Sequence, residues 1–328
     1  MNKKTGFTQY YDILRELLQL GNVVENDRTN TGTLSLFGKH LEFDLKDGFP
    51  LMTGKLTSFK MVAGELLWFL SGSTNNEDLR KINGNDRPTI WEEWATEDGR
   101  LGPIYGHQMR NWGGNIYNRL SGIDQIANLI EGLKNNPHSR RHVVSCWNVD
   151  VLPNDKFSPQ ENVNSGNAAL PACHTLFQMY CRILSFEERI ELCDDCSYAS
   201  IMHQDEYSNI MDSLNVPKYG LSCHLYQRSA DFFLGAPANY ASYALLIHML
   251  ANLTNMVPDI LHISYGDVHL YSNHIDQANE LLSRDLSLYP LPKLEIDKKY
   301  TSIDDFTLDS FNIVGYNSHP RIYAPIAV

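Results

Sequence analysis

The chain has 328 residues, 43% of them hydrophobic, and a net charge of -12. That size and apolar content bury a large core, as one big domain or one domain with a satellite, and exclude a disordered or fibrous polymer. The acid excess excludes a nonspecific duplex-binding surface, since neutralising phosphates takes a basic stripe, so any anionic ligand needs a local arginine cluster and no nucleic-acid partner is expected.

Nothing after Met1-Asn2-Lys3-Lys4-Thr5 resembles a signal peptide, and no run of about 18 apolar residues exists to span a bilayer. The expected address is the cytoplasm, with no membrane partner. Tyr11, Ile13, Leu14, Leu17 and Leu18, with Gly21 just beyond, predict a surface helix over Phe7 to Leu20. Asn26 to Gly32 reads as a turn in which Arg28 is free to swing towards a ligand, and Leu34 to Gly38 and His40 to Leu45 read as strands. Ser58 to Leu70 predicts a helix whose apolar stripe of Phe59, Val62, Leu66 and Phe69 carries Glu65 at its edge. There the carboxylate is either partly desolvated or turned to solvent. Trp91, Trp94 and Tyr105 sit in a loop-rich stretch, as a stacking wall for a planar ligand or as ordinary packing.

Asp124 to Leu133 predicts another amphipathic helix. Arg140 and Arg141 enter the next strand pointing to opposite faces, so one of them can serve a neighbour. Val151 to Ala169 reads as a long polar loop that delivers the chain to Leu170-Pro171-Ala172-Cys173-His174, where a lone thiol precedes an alternating run to Tyr180. Between Arg182 and Gly220 the pattern turns irregular and acidic, an excursion between two strands, Leu176 to Tyr180 and Leu221 to Tyr226, expected to be antiparallel neighbours. The strand that ends in Arg228-Ser229-Ala230-Asp231 leads to a helix from about Tyr240 to Asn255, with Asn239 at its start as an N-cap or a ligand contact. His269 and Tyr271 share a strand face, and the uncharged C-terminal end is placed to fold down as a lid.

Six cysteines, Cys146, Cys173, Cys181, Cys193, Cys196 and Cys223, are too sparse for a disulfide framework and are expected as thiols. Cys193 and Cys196 have C-x-x-C spacing, but a structural zinc needs four ligands and only Cys181 and His203 lie near in sequence, so no metal is expected. A thiol attacks only as thiolate, which nearby arginines favour. His174 follows Cys173 directly, and adjacent strand side chains diverge, which disfavours a Cys-His hydrolase dyad. A thiolate among arginines, a Glu, an Asn and aromatics suits covalent addition to an electron-poor heterocycle carrying a phosphate, which points at a nucleotide base.

The runs DRTNTGTLSLFG, GELLWFLSGSTN, TIWEEWATEDGRLGPIYGHQ, SRRHVVSCWNV, CHTLFQ, LYQRSADFFLG, ANYASYALL and GDVHLYSNH resemble, in order, those of the thymidylate synthase family. The resemblance covers about Tyr10 to Val328 apart from inserted stretches. It implies an α/β (α+β) fold with a bulged mixed β-sheet flanked by helices, one catalytic domain over 1–328 with an acidic insertion at about 183–219, and a homodimer of back-to-back sheets. It also implies folate-dependent one-carbon transfer to C5 of dUMP through a Cys173–C6 adduct, with 5,10-methylenetetrahydrofolate as co-substrate and no metal. On the same ground Glu65, Tyr105, His174 and Asn239 assist Cys173. Arg28, Gln227, Arg228, Ser229, Asp231, Asn239, His269 and Tyr271 hold dUMP, with Arg140 and Arg141 donated across the interface. Lys55, Ile90, Trp91, Trp94, Asp231, Gly235 and Val328 match the reduced-folate site. The Asn239 carboxamide suits N3–H and O4 of uracil, where cytosine-specific relatives carry Asp.

The sequence departs from the family pattern at Ala172, where Pro usually precedes the nucleophile, at Ala238 in place of Phe, and at Met109 in place of Trp. The missing Phe opens volume that admits a water beside the one-carbon unit. The hydroxymethylase branch of the family also replaces that Pro and that Phe, so the expected product is 5-hydroxymethyl-dUMP, and the expected setting the host cytoplasm of a DNA-modifying virus. The alternative is reductive methylation to dTMP, to which Trp91 and the Ala327-Val328 end point. A retired nucleotide-binding regulator is a third reading, opposed by intact Cys173, Arg228 and Asn239.

Overall fold

Alternation of apolar and polar residues builds the frame that carries the site. The computed structural model describes residues 5–25, 31–84, 88–116, 121–193 and 204–326, with side chains from 207 onward in the last segment. Among these residues β1 (Asn22–Val24), β2 (Thr33–Asp44), β3 (Val143–Ser145), β4 (His174–Ile183), β5 (Tyr219–Asp231) and β6 (Val257–Tyr271) form one sheet in the order β1-β2-β6-β5-β4-β3. Only β5 and β6 run parallel, so the sheet is mixed as expected. Strands β7 (Lys293–Ile296) and β8 (Phe311–Val314) form a separate antiparallel pair.

The helices are α1 (Gly6–Leu20), α2 (Phe59–Leu70), α3 (Asn76–Asn83), α4 (Tyr105–Arg110), α5 (Gln125–Asn135), α6 (Pro159–Asn164), α7 (Phe186–Glu191), α8 (Gln204–Ser213), α9 (Gly235–Thr254) and α10 (Ile275–Ser283). Ser58 and Asp124 cap α2 and α5 by accepting from the Met61 and Ala127 N–H groups, which fixes where those helices begin. Helix α9 is rich in Ala and Leu and buries Ala241, Leu245, Ile247, Met249 and Leu250, residues from all round its circumference. An all-round apolar helix belongs in a core, and α9 links the parallel strands β5 and β6 while packing on both.

A bulge interrupts β4 between His174 and Leu176, so Thr175 is an extra residue opposite β5. Beyond it Phe177, Met179 and Cys181 are buried while Leu176 and Tyr180 stay exposed; the bulge re-phases the strand and turns His174 inward. The expected antiparallel pairing of Leu176–Tyr180 with Leu221–Tyr226 is present.

Five expectations change. Leu34–Gly38 and His40–Leu45 are one strand, because the pairing of β2 with β6 continues across Gly38 despite its φ of 73°. Helix α9 starts at Gly235, with Pro237 in its first turn where a missing N–H costs little. Asn239 therefore lies inside the helix and is not its N-cap. The polar loop before Pro171 contains α6, set by a Ser158–Glu161 capping box. The acidic excursion is helical in part: Phe186 and Ile190 of α7 pack with Tyr207, Met211 and Val216 in a small core of their own. Arg182 ties this unit to the sheet through hydrogen bonds to both Glu188 and Asp259. Cys193 is disulfide-bonded and not the thiol expected, while Cys196 lies outside the described residues. No helix among the described residues is long and apolar enough to cross a membrane.

Candidate active site

The site forms where β4 begins and β5 ends, because the register brings His174 opposite Gln227. The next residue on β5, Arg228, reaches back over the chain before β4. Its Nε donates to the Ala172 carbonyl and its Nη2 to the Pro171 carbonyl, both at 2.9 Å, and its backbone N–H donates to the Cys173 carbonyl. The same Nη2 points at Cys173 Sγ, 3.7 Å away. Tyr105 Oη accepts from the Cys173 N–H at 2.7 Å. The turn holding the thiol is thus pinned from two sides, and a guanidinium N–H is aimed at the sulfur, where it stabilises a thiolate. Cys173 is half-buried, whereas Cys146, Cys181 and Cys223 are buried.

Beside the thiol lies an amide pair. Gln227 Nε2 donates to the Ser229 carbonyl and to Asn239 Oδ1, each at 3.0 Å, which fixes the orientation of the Asn239 carboxamide. Gln227 Oε1 is buried without a protein partner, a polar atom that a ligand's N–H would satisfy. Burial pushes His174 down to about 4, with the Asn239 side chain opposing, so its imidazole is neutral at physiological pH. Gly235 sits between Asp231 and Asn239: a Cβ there would lie 3.6 Å from Asp231 Cβ and 3.7 Å from Asn239 Oδ1. Asp231 Oδ1 accepts from the Phe233 and Leu234 N–H groups, and Asp231 pairs in register with His269. The His269 ring packs against Tyr271 at 5.2 Å, and its Nδ1 bonds Asp267 Oδ1 at 2.7 Å. Burial raises the Asp267 carboxyl, but the bonds from His269 and Ser35 outweigh it and hold the group below its ordinary value.

An aromatic wall closes the other side. Tyr105 lies 5.3 Å from His174 and 6.2 Å from Trp91 between ring centroids, and Trp91 is 6.2 Å from Trp94. Trp91 Nε1 donates to Glu65 Oε1 at 2.7 Å. Desolvation raises the Glu65 carboxyl above its ordinary value, and the Trp91 bond only partly offsets this. The carboxylate is therefore the desolvated one of the two possibilities left open by its helix position. Burial also pushes Lys55 down to about 8; Asp231 opposes that shift, and Arg321 and Arg284 add to it. Lys55 Nζ stands 4.6 Å from the Phe233 ring centre.

The structure thus connects Cys173, Arg228, Tyr105, His174, Gln227, Ser229, Asn239, Gly235, Asp231, His269, Tyr271, Trp91, Trp94 and Glu65 through contacts or register, and Lys55 joins them beside Asp231. Arg140 and Arg141 are exposed and make no side-chain hydrogen bond or ion pair among the described residues. Ile90 is exposed, while Arg28 and Val328 lie outside the described residues. One contributor escaped the sequence reading. Trp147 backs the Arg228 guanidinium, with 5.4 Å between its ring centre and Arg228 Cζ. Its signal was its position just after β3, from which its backbone N–H donates to the Thr175 carbonyl two residues beyond Cys173.

A family model described as thymidylate synthase matches residues 8–328. The chain is 46% identical over 320 residues to a protein named thymidylate synthase from Francisella tularensis subsp. holarctica (strain OSU18), covering 98% of this chain and 99% of that one. It is 45% identical, with the same coverage, to the thymidylate synthase of Francisella philomiragia subsp. philomiragia.

Two outcomes test this geometry. Arg228→Leu should slow alkylation of Cys173 by iodoacetamide roughly tenfold, the effect of about 1.4 kcal/mol of lost thiolate stabilisation; peptide mapping reads the rate, and an unchanged or faster rate overturns the clamp. Glu65→Gln keeps the Trp91 bond and removes a carboxyl whose raised value makes its ionised form a cost to the fold. That cost is absent below the ordinary carboxylate range and complete above the raised value. The variant should therefore melt roughly 1–3 °C above the parent at pH 8 and match it at pH 4, as calorimetry would show.

Proposed function

The chain belongs to the thymidylate synthase family, and from that premise we propose that it converts dUMP and 5,10-methylenetetrahydrofolate to dTMP and dihydrofolate. The observation that carries this is the pinned Cys173 with the Arg228 guanidinium at its sulfur, beside an Asn239 carboxamide locked by Gln227. Cys173 adds to C6 of the pyrimidine, which makes C5 nucleophilic towards the one-carbon unit. Arg228 and Ser229, with Arg28, take the phosphate, and several guanidinium forks suit a dianion. Asn239 pairs with N3–H and O4 of uracil, His269 and Tyr271 hold the deoxyribose hydroxyl, and neutral His174 helps orient Asn239. Glu65, whose carboxyl desolvation holds above its ordinary value, and Tyr105, whose phenol is held neutral by burial, organise proton transfer at O4 and C5.

The folate side rests on Trp91 and Trp94 as a stacking wall and on Lys55, Asp231, Gly235, Ile90 and Val328. The bound folate supplies the one-carbon unit and the hydride. The residues present fit it, because the aromatic wall stands against Glu65 and a lysine shifted to about 8 lies beside Asp231. Arg140 and Arg141 come from the second subunit of a homodimer whose sheets pack back to back. Exposed Leu176, Tyr180, Tyr226 and Phe37 on the outer sheet face support that packing. We read 1–328 as one catalytic domain carrying an insertion at about 183–219, acting in the cytoplasm.

The hydroxymethyl product suggested by Ala172 and Ala238 gains no support from the comparisons, which favour reduction instead, since relatives alike over nearly the whole chain are named thymidylate synthase. The space left beside Ala172 is small. It is a cavity of about 10 Å³, lined among others by Tyr105, Cys146, Asn148 and Leu170 and by none of Ile90, Trp91 or Trp94. A void that small is at the lower limit for one water.

Incubation with both substrates should yield dTMP and dihydrofolate by chromatography, and Cys173→Ala should abolish both; 5-hydroxymethyl-dUMP with tetrahydrofolate would sink the reductive reading. Inactive Cys173→Ala subunits and inactive Arg140→Ala/Arg141→Ala subunits should regain turnover when mixed and allowed to exchange, because one site in the mixed dimer is then intact. Mixing without recovery would show that these arginines do not cross the interface.

A further inference from the structure

The outward side of the sheet carries a second cluster of chemistry-bearing side chains, which the proposed reaction does not use. Strand register builds it. Glu42 on β2 stands opposite His262 on β6, and His262 opposite His224 on β5; two residues along, His40 stands opposite Ser264 and Ser264 opposite Tyr226. Directly paired residues share a face, so three imidazoles, a carboxylate and a hydroxyl gather over three adjacent strands. Donor atoms of His40, Glu42 and His262 all lie within 4.8 Å of one another. His262 Nδ1 is 3.3 Å from Glu42 Oε2, and the His40 and His262 rings stack at 5.8 Å. The His224 ring is 6.2 Å from His40 and 6.1 Å from His262. Ser264 Oγ lies 2.8 Å from His224 Nε2 and 3.4 Å from His40 Nδ1, holding both rings in place from the side.

We propose that His40, His262 and Glu42 form a binding site for a divalent transition-metal ion, with His224 beside it. Two imidazole nitrogens and one carboxylate oxygen are the donor set of three-ligand zinc sites, and they discriminate against Mg²⁺ and Ca²⁺, which take oxygen shells. Bonds of about 2.0–2.2 Å require the donors to draw closer than they stand without metal. In the single chain His40 is exposed and Glu42 and His262 are half-buried. The ligands come from two hydrogen-bonded strands of one chain, and the ion clips β2 to β6 by their side chains. The site stands apart from the proposed reaction; in the back-to-back dimer it falls within the interface between the sheets.

The test uses the full chain, stripped with a chelator and titrated with Co²⁺ under visible spectroscopy, with Zn²⁺ as competitor. The parent protein and Cys173→Ser should both show a saturable visible band that Zn²⁺ abolishes. His262→Gln and the nearly isosteric Glu42→Gln should weaken binding at least about tenfold, with the thermal melt of the stripped protein unchanged as the check on folding. Binding that persists undiminished in these variants, that disappears in Cys173→Ser, or that never saturates overturns the proposal.

Discussion

One guanidinium holds the site together. Arg228 spends two of its nitrogens on the carbonyls of Pro171 and Ala172 and turns one of them towards the sulfur of Cys173. The bulge that turns His174 inward, the Tyr105 bond to the Cys173 N–H and the Trp147 ring behind the arginine all converge on this contact. A lysine could supply the charge but not the fork, since an ammonium is a point donor without the planar geometry that reaches two carbonyls and a sulfur at once.

The rest of the site works by desolvation. Burial raises Glu65 and lowers His174 and Lys55, so each of these groups is pushed towards its neutral form in a protein of net charge -12. A titratable group held towards its neutral form is better placed to pass protons and to orient an amide. The positive charge that remains is kept on arginines, whose guanidinium does not titrate in the working range.

Much of this was legible in the sequence because local rules and tertiary demands agree there. Ser58 and Asp124 mark helix starts, and alternation around Leu176–Tyr180 marks a strand with a buried and an open face. Cys173 and Arg228 stand out chemically. What could not be read are effects that depend on partners distant in the chain. Glu65 could face water or the interior from its helix position alone, and only Trp91, 26 residues on, decides it. Asn239 looked like a cap because Gly235 and Pro237 resemble a turn, yet proline is at home in a first helical turn and the helix begins before it. The two alanines drew the reading towards hydration because a lost side chain suggests space, whereas the cavity at Ala172 is hardly larger than one water.

The parallel pairing of β5 with β6 across α9 has a consequence for how the molecule comes to be active. Antiparallel neighbours can zip from a turn, but a parallel pair must wait for the whole crossover to close, and such non-local contacts form slowly. Arg228 and Asn239 lie on one side of that closure and His269 and Tyr271 on the other. A nascent chain with β4 and β5 already paired therefore owns a thiol and its arginine but only half of the proposed nucleotide cradle. The two halves of the proposed nucleotide cradle therefore meet only when β6 docks against β5.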